Sequence, residues 1–238
     1  MLLWQIEAAK RMTDFINNFF NVESITFVGS MLDKNLLDVF SDVDMEIRLS
    51  DDTVFDLKNF LKAIENEFCT IFGYQYFIYD DKDTLRICFE NGWRFDFIFI
   101  YQKHKVLLPE EDSFIDKLES FINGFWYVSV LALVKLWRGD HLIAAHLAME
   151  LCQSNIVVQM LLRDNVKNTN MHRFGDKEDV PILHSLLELN KGSIGDEVLS
   201  IIYLAAEHME RISESHVRQP KRTDKLRGIE YHLNPNQK

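Results

Sequence analysis

The chain has 238 residues, 47% hydrophobic and 26% charged, which suits one large or two small globular domains and excludes a disordered or fibrous protein. Its net charge of −11 argues against general nucleic-acid binding, which draws on a basic surface, and suits a cationic small-molecule partner. Cys69, Cys88 and Cys152 lack paired-ligand spacing, so they read as reduced thiols in a cytoplasmic protein rather than a disulfide or zinc framework. Residues Met1–Glu7 lack the basic start and apolar core of a signal peptide. The longest apolar run, Phe125–Val134, is too short to cross a bilayer, so no membrane association is expected.

In chain order, Trp4, Ala8, Met12, Phe15 and Phe19 recur at helical spacing and predict a helix over 3–20. A short β-prone run, Glu23–Val28, then stops at Gly29-Ser30, where glycine permits close approach of the backbone to a ligand and serine adds a hydroxyl and an amide donor. The stretch Asp42–Leu49 alternates polar and apolar residues without a break. On a strand this places Asp42, Asp44, Glu46 and Arg48 on one face and Val43, Met45, Ile47 and Leu49 on the other. Asp51-Asp52-Thr53 offers a cap for a helix running to about Phe68. Three strand-like runs follow at 71–79, 83–90 and 93–100, joined by the turn signals Asp80–Asp83 and Asn91-Gly92.

Beyond the polar break Pro109–Ser113 the pattern becomes helical, with helices expected at about 114–138, 140–166, 180–190 and 194–215. The boundary is placed near 110, giving domains at 1–110 and 111–216. The last stretch, 217–238, carries Arg218, Lys221, Arg222, Lys225, Arg227 and Lys238 with two prolines and little apolar content. It reads as a basic C-terminal arm or tail.

Two carboxylates two residues apart on a rigid strand repel each other unless a cation lies between them, and their hard oxygens suit magnesium. Asp96 is a lone acid in the apolar run Trp93–Ile100 and needs a partner, because burying an unpaired carboxylate costs several kcal/mol. If its strand lies beside Asp42–Leu49, the three acids form one metal site. Neutralisation of Asp96 by Arg94, two residues away, is the competing reading, and Glu46 reads as solvated or paired with Arg48.

Taken together, Val28-Gly29-Ser30, Asp42-Val43-Asp44-Met45 and Phe95-Asp96-Phe97 resemble the DNA-polymerase-β-like nucleotidyltransferase superfamily. The segments Phe125-Trp126-Tyr127-Val128-Ser129 and Lys135-Leu136-Trp137-Arg138 look like those of aminoglycoside 6-adenylyltransferases, and lincosamide nucleotidyltransferases share the first signature. The resemblance implies an α+β protein: an N-terminal polymerase-β-like domain with a mixed sheet, then a C-terminal helical bundle that binds substrate. It implies a Mg2+-dependent adenylyltransferase, with one or two ions held by Asp42, Asp44 and Asp96. ATP would be the nucleotide, contacted by Gly29, Ser30, Lys135 and Arg138. The acceptor would be a hydroxyl of an aminoglycoside-like antibiotic, contacted by His172 and Arg173 in a loop facing the cleft. A lincosamide, protein or RNA acceptor, or a non-catalytic nucleotide-binding module of the same fold, stays open, as does a homodimer. Snorkelling of Lys135 and Arg138 to the surface, and core packing of Trp126 and Trp137, are the structural alternatives.

Overall fold

Alternating apolar residues build the sheet of the first half, and amphipathic helices cover one of its faces. The computed structural model describes residues 4–33, 37–50, 55–101, 113–166, 194–214 and 221–234. It is an α+β structure that divides into two compact units, Met1–Glu110 and Glu111–Lys238.

The first unit runs α1 (Trp4–Phe19), β1 (Val22–Phe27), a one-turn 3-10 helix (Gly29–Leu32), β2 (Val43–Leu49), α2 (Leu57–Glu67), β3 (Ile71–Ile78), β4 (Lys82–Phe89) and β5 (Arg94–Ile100). The strands form one mixed sheet in the order β1-β2-β5-β4-β3, with β2 and β5 parallel and the other neighbours antiparallel. Parallel neighbours need a long crossover, and α2, β3 and β4 supply it. On one face Val43, Met45, Ile47, Leu85, Ile87, Phe95, Phe97 and Phe99 are fully buried with Met12, Ile16, Phe60 and Ile64 of the two helices. Phe60 lies within 5.9 Å, centroid to centroid, of Phe15, Phe19, Phe20, Phe55, Phe97 and Phe99. Each buried ring contributes roughly 2–3 kcal/mol through area alone, which is where much of the phenylalanine-rich composition goes.

The expected cap at Asp51–Thr53 lies outside the described residues, and α2 begins only at Leu57. Its start is capped by Asp56, whose carboxylate accepts from the Asn59 backbone N–H at 3.0 Å and from Asn59 Nδ2 at 3.1 Å. The Asn91-Gly92 turn forms with Gly92 at φ +83.

The second unit contains α3 (Phe114–Trp137), α4 (His141–Val166), α5 (Ile194–Ser213) and α6 (Arg222–Leu233). The α3 helix is long and apolar enough to span a bilayer, but 67% of that stretch is buried inside the structure, as befits a core helix. Polar contacts stitch α4 to α5: Asn155 Nδ2 donates to the Ala205 carbonyl at 2.9 Å, and Gln159 Nε2 lies 2.8 Å from His208 Nε2. The helix expected at 180–190 lies outside the described residues.

The chain's end differs from its reading as an arm or tail. Within it α6 packs against α3 and α5, burying Leu226, Ile229 and Leu233. These three fall at i, i+3 and i+7, a stripe that the surrounding charges conceal in sequence. Arg222 lies over the Trp126 ring at 5.9 Å and donates to Asn123 Oδ1 at 3.2 Å. Ile229→Ala is therefore expected to lower unfolding stability by about 2–4 kcal/mol in chemical denaturation. A loss under about 0.5 kcal/mol, the size of an ordinary surface change, would show that α6 is not packed.

Candidate active site

Strand register builds the site. Asp44 of β2 stands directly opposite Asp96 of β5 in the parallel pair. Paired residues share a face, and Asp42 lies two residues upstream of Asp44, so all three acids emerge on the face away from the helices. Oxygens from Asp42, Asp44 and Asp96 all lie within 4.8 Å of one another, and all three residues are half-buried. Unit charges at such a distance repel by about 3–4 kcal/mol per pair at an effective dielectric of about 20.

The Gly29 turn closes over this cluster. The Val28 N–H donates to the Asp44 carbonyl at 3.1 Å. Gly29 has φ +59, and a Cβ placed there would sit 2.4 Å from Asp44 Oδ2. Only glycine satisfies both the left-handed backbone and the contact with the carboxylate. The next residue, Ser30, has a buried Oγ with no hydrogen-bond partner among the described residues, a polar atom that a ligand would satisfy.

The approach to Asp42 is clamped from two sides. Gln5, fully buried on α1, donates through Nε2 to the carbonyls of Asp38 at 2.6 Å and Ser41 at 2.9 Å. Arg94 is only 1% exposed and donates from Nη2 to the Phe40 carbonyl at 2.6 Å and the Ser41 carbonyl at 3.3 Å. Its side chain is therefore committed to the loop before Asp42, and the reading in which it neutralises Asp96 does not hold. Asp96 instead pairs with Arg86, its register partner on β4, whose Nε lies 3.1 Å from Asp96 Oδ2. Glu46 pairs with Arg48 at 3.1 Å.

Burial raises the Asp44 carboxyl to about 7, helped by the charges of Asp42 and Asp96 and opposed by Arg86. Three hard carboxylate oxygens, an acid whose ionisation is opposed by burial and like charges, and a serine hydroxyl without a partner among the described residues together fit a divalent ion such as magnesium.

Lys135 and Arg138 belong to the second unit, at the C-terminal end of α3. There Gly139, at φ +87, ends the helix, and cations suit the negative end of the helix dipole. Phe125, Trp126, Tyr127, Val128 and Ser129 are all buried, so that segment is core. His172 and Arg173 lie outside the described residues. Gln5 and Arg86 were not singled out from sequence. Arg86 carried a signal, since it alternates with buried Leu85 and Ile87, but its partner follows only from the β4–β5 register.

No family model matches the sequence, and no curated protein sequence matches it. Among solved structures it is similar to a crystal structure of an aminoglycoside 6-adenyltransferase from Bacillus subtilis. That match has 15% identity over 98% of this chain and 99% of that one, with a TM-score of 0.33. A likeness so weak lends no support to a shared activity.

The Asp44 shift has a consequence for stability. An acid whose carboxyl is higher in the folded than in the unfolded state stabilises the fold when protonated. That contribution is full below about 3.8 and is lost as pH rises through about 7. In EDTA, Asp44→Asn is thus expected to be more stable than the parent at pH 8, by about 1–2 kcal/mol after allowance for solvent screening. The gain should shrink by more than half at pH 5 and vanish in saturating Mg2+. Denaturation showing the variant less stable at pH 8 without metal would contradict the like-charge account.

Proposed function

We propose that the protein is a magnesium-dependent nucleotidyltransferase that moves AMP from ATP onto a hydroxyl of a small molecule and releases pyrophosphate. The observation that supports this most strongly is the convergence of Asp42, Asp44 and Asp96 within 4.8 Å beside the Gly29 turn and the unsatisfied Ser30 hydroxyl. A triphosphate is polyanionic, so an acidic site takes it only with a cation between them. Bound at the three acids, Mg2+ would neutralise the phosphates and make the acceptor hydroxyl more acidic.

The chain's own groups would do the rest. The amides of the Gly29 turn and the Ser30 hydroxyl would hold the terminal phosphates. The acceptor oxygen would bond to the α-phosphorus as the bond from that phosphorus to the bridging oxygen breaks, so pyrophosphate leaves in line. With a single ion at the site, Asp96, paired with Arg86, would receive the acceptor's proton. With two ions, Asp96 would serve as a ligand instead. The first unit would be the catalytic domain and residues 111–216 of the second the substrate-binding part, in the cytoplasm.

An aminoglycoside-like acceptor comes from resemblance alone, since the Phe125–Ser129 segment behind it is core. Incubation with labelled ATP, Mg2+ and a panel of aminoglycosides, lincosamides, sugar phosphates, protein and RNA should yield pyrophosphate and a nucleotidylated product. Asp42→Asn should lower turnover by at least about 100-fold, as loss of one electrostatic group in an active site does, with an unchanged circular dichroism spectrum. Full activity in that variant would overturn the metal assignment. Mg2+-independent nucleotide binding without turnover on any acceptor would instead mark a binding module.

A further inference from the structure

The open face of the sheet changes character across the acid cluster, and the change bears on the acceptor. Pairing register gives the order along one row: the Gly29 turn touches Asp44, Asp44 pairs with Asp96, Asp96 with Arg86, and Arg86 with Gln75 on β3. In the next row Glu46 pairs with Ile98, Ile98 with Thr84, and Thr84 with Phe77. Lys82 pairs with Ile100 one row further on. The β3–β4 part of this face therefore presents Arg86, Gln75, Thr84, Phe77 and Lys82, two cations and no acid, in a chain of net charge −11. Asp83 interrupts the run in sequence only. It is buried on the opposite face, where Tyr76 and Tyr101 donate to it at 2.7 and 2.6 Å.

We propose that this part of the sheet is the acceptor subsite, and that the acceptor carries a phosphate or carboxylate next to a ring, both close to its reacting hydroxyl. The inference rests on the nucleotidyl-transfer reading, which puts the triphosphate at the Gly29 turn. The donor phosphates then occupy the β1 side of the acids, so the attacking hydroxyl, in line with the leaving group, arrives from the β4 side. The first group it meets there is Arg86. Arg86 Nε is engaged on Asp96, its side chain is 43% exposed, and its two Nη groups form the planar fork that matches a phosphate or carboxylate. Phe77, diagonal to Arg86 across the pairing, is 41% exposed, and its ring offers a stacking surface for a sugar or aromatic ring. Gln75 and Thr84 supply donors and acceptors around it. A polycationic acceptor would meet Arg86 and Lys82 as like charges and be disfavoured.

The test uses the full chain saturated with Mg2+ and a non-hydrolysable ATP analogue, so that the donor site is filled. Phenyl phosphate and benzylamine are then titrated separately and followed by amide NMR shifts and calorimetry. Phenyl phosphate should shift the amides of residues 75–77 and 82–86. Its affinity should fall at least tenfold in Arg86→Met and less in Arg86→Lys, each measured with the donor site kept saturated. Benzylamine binding at those amides in place of phenyl phosphate would favour a cationic acceptor and overturn the proposal. So would phenyl phosphate affinity within twofold of the parent in Arg86→Met. The Asp42→Asn variant separates the two readings. It should lose Mg2+-dependent nucleotide binding yet keep phenyl phosphate. If the parent never binds Mg2+–nucleotide but does bind phenyl phosphate, an anion site exists and its assignment to an acceptor is overturned.

Discussion

Repulsion among three carboxylates is the constraint around which the first unit is organised. Asp44 and Asp96 face each other because their strands pair in parallel with this register. No relaxation within the sheet separates them, since a slip of one residue would turn every buried Met45, Ile47, Phe97 and Phe99 outward. The hydrophobic effect therefore holds the charges together. Burial of several phenylalanines outweighs a few kcal/mol of like-charge repulsion, and the remaining electrostatic deficit is what a divalent ion would relieve.

The surrounding contacts follow from that constraint. Arg86 offsets part of the charge on Asp96. Gln5 and Arg94 hold the backbone just before Asp42, so this third acid is fixed although it stands one residue outside the strand. Gly29 removes the one side chain that would collide with Asp44. Beneath them, the rings around Phe60 form a stiff support of interlocking aromatic contacts, and a rigid support keeps a catalytic constellation in place.

Much of this was legible in the residues. The unbroken alternation in Asp42–Leu49 and the lone acid in Trp93–Ile100 place the three carboxylates on strand faces. The Gly29-Ser30 stop marks the turn. What local pattern does not carry is strand order and register. Arg94 and Arg86 are both two-residue-periodic cations near the acids, and only the fold tells that the first is buried against carbonyls while the second pairs with Asp96. Gln5 lies 36 residues from the Ser41 carbonyl that it holds, a separation that periodicity cannot bridge. At the other end of the chain, three apolar residues among six basic ones were outweighed by composition, although their spacing alone describes the buried side of α6.

The central claim is that Asp42, Asp44 and Asp96 share a divalent cation. It is tested most directly by growing crystals in Mn2+ with a non-hydrolysable nucleotide and measuring anomalous scattering. The account predicts a manganese peak about 2.0–2.3 Å from at least one oxygen of each acid, distances usual for small hard cations. An empty cluster in crystals that hold manganese elsewhere would contradict it.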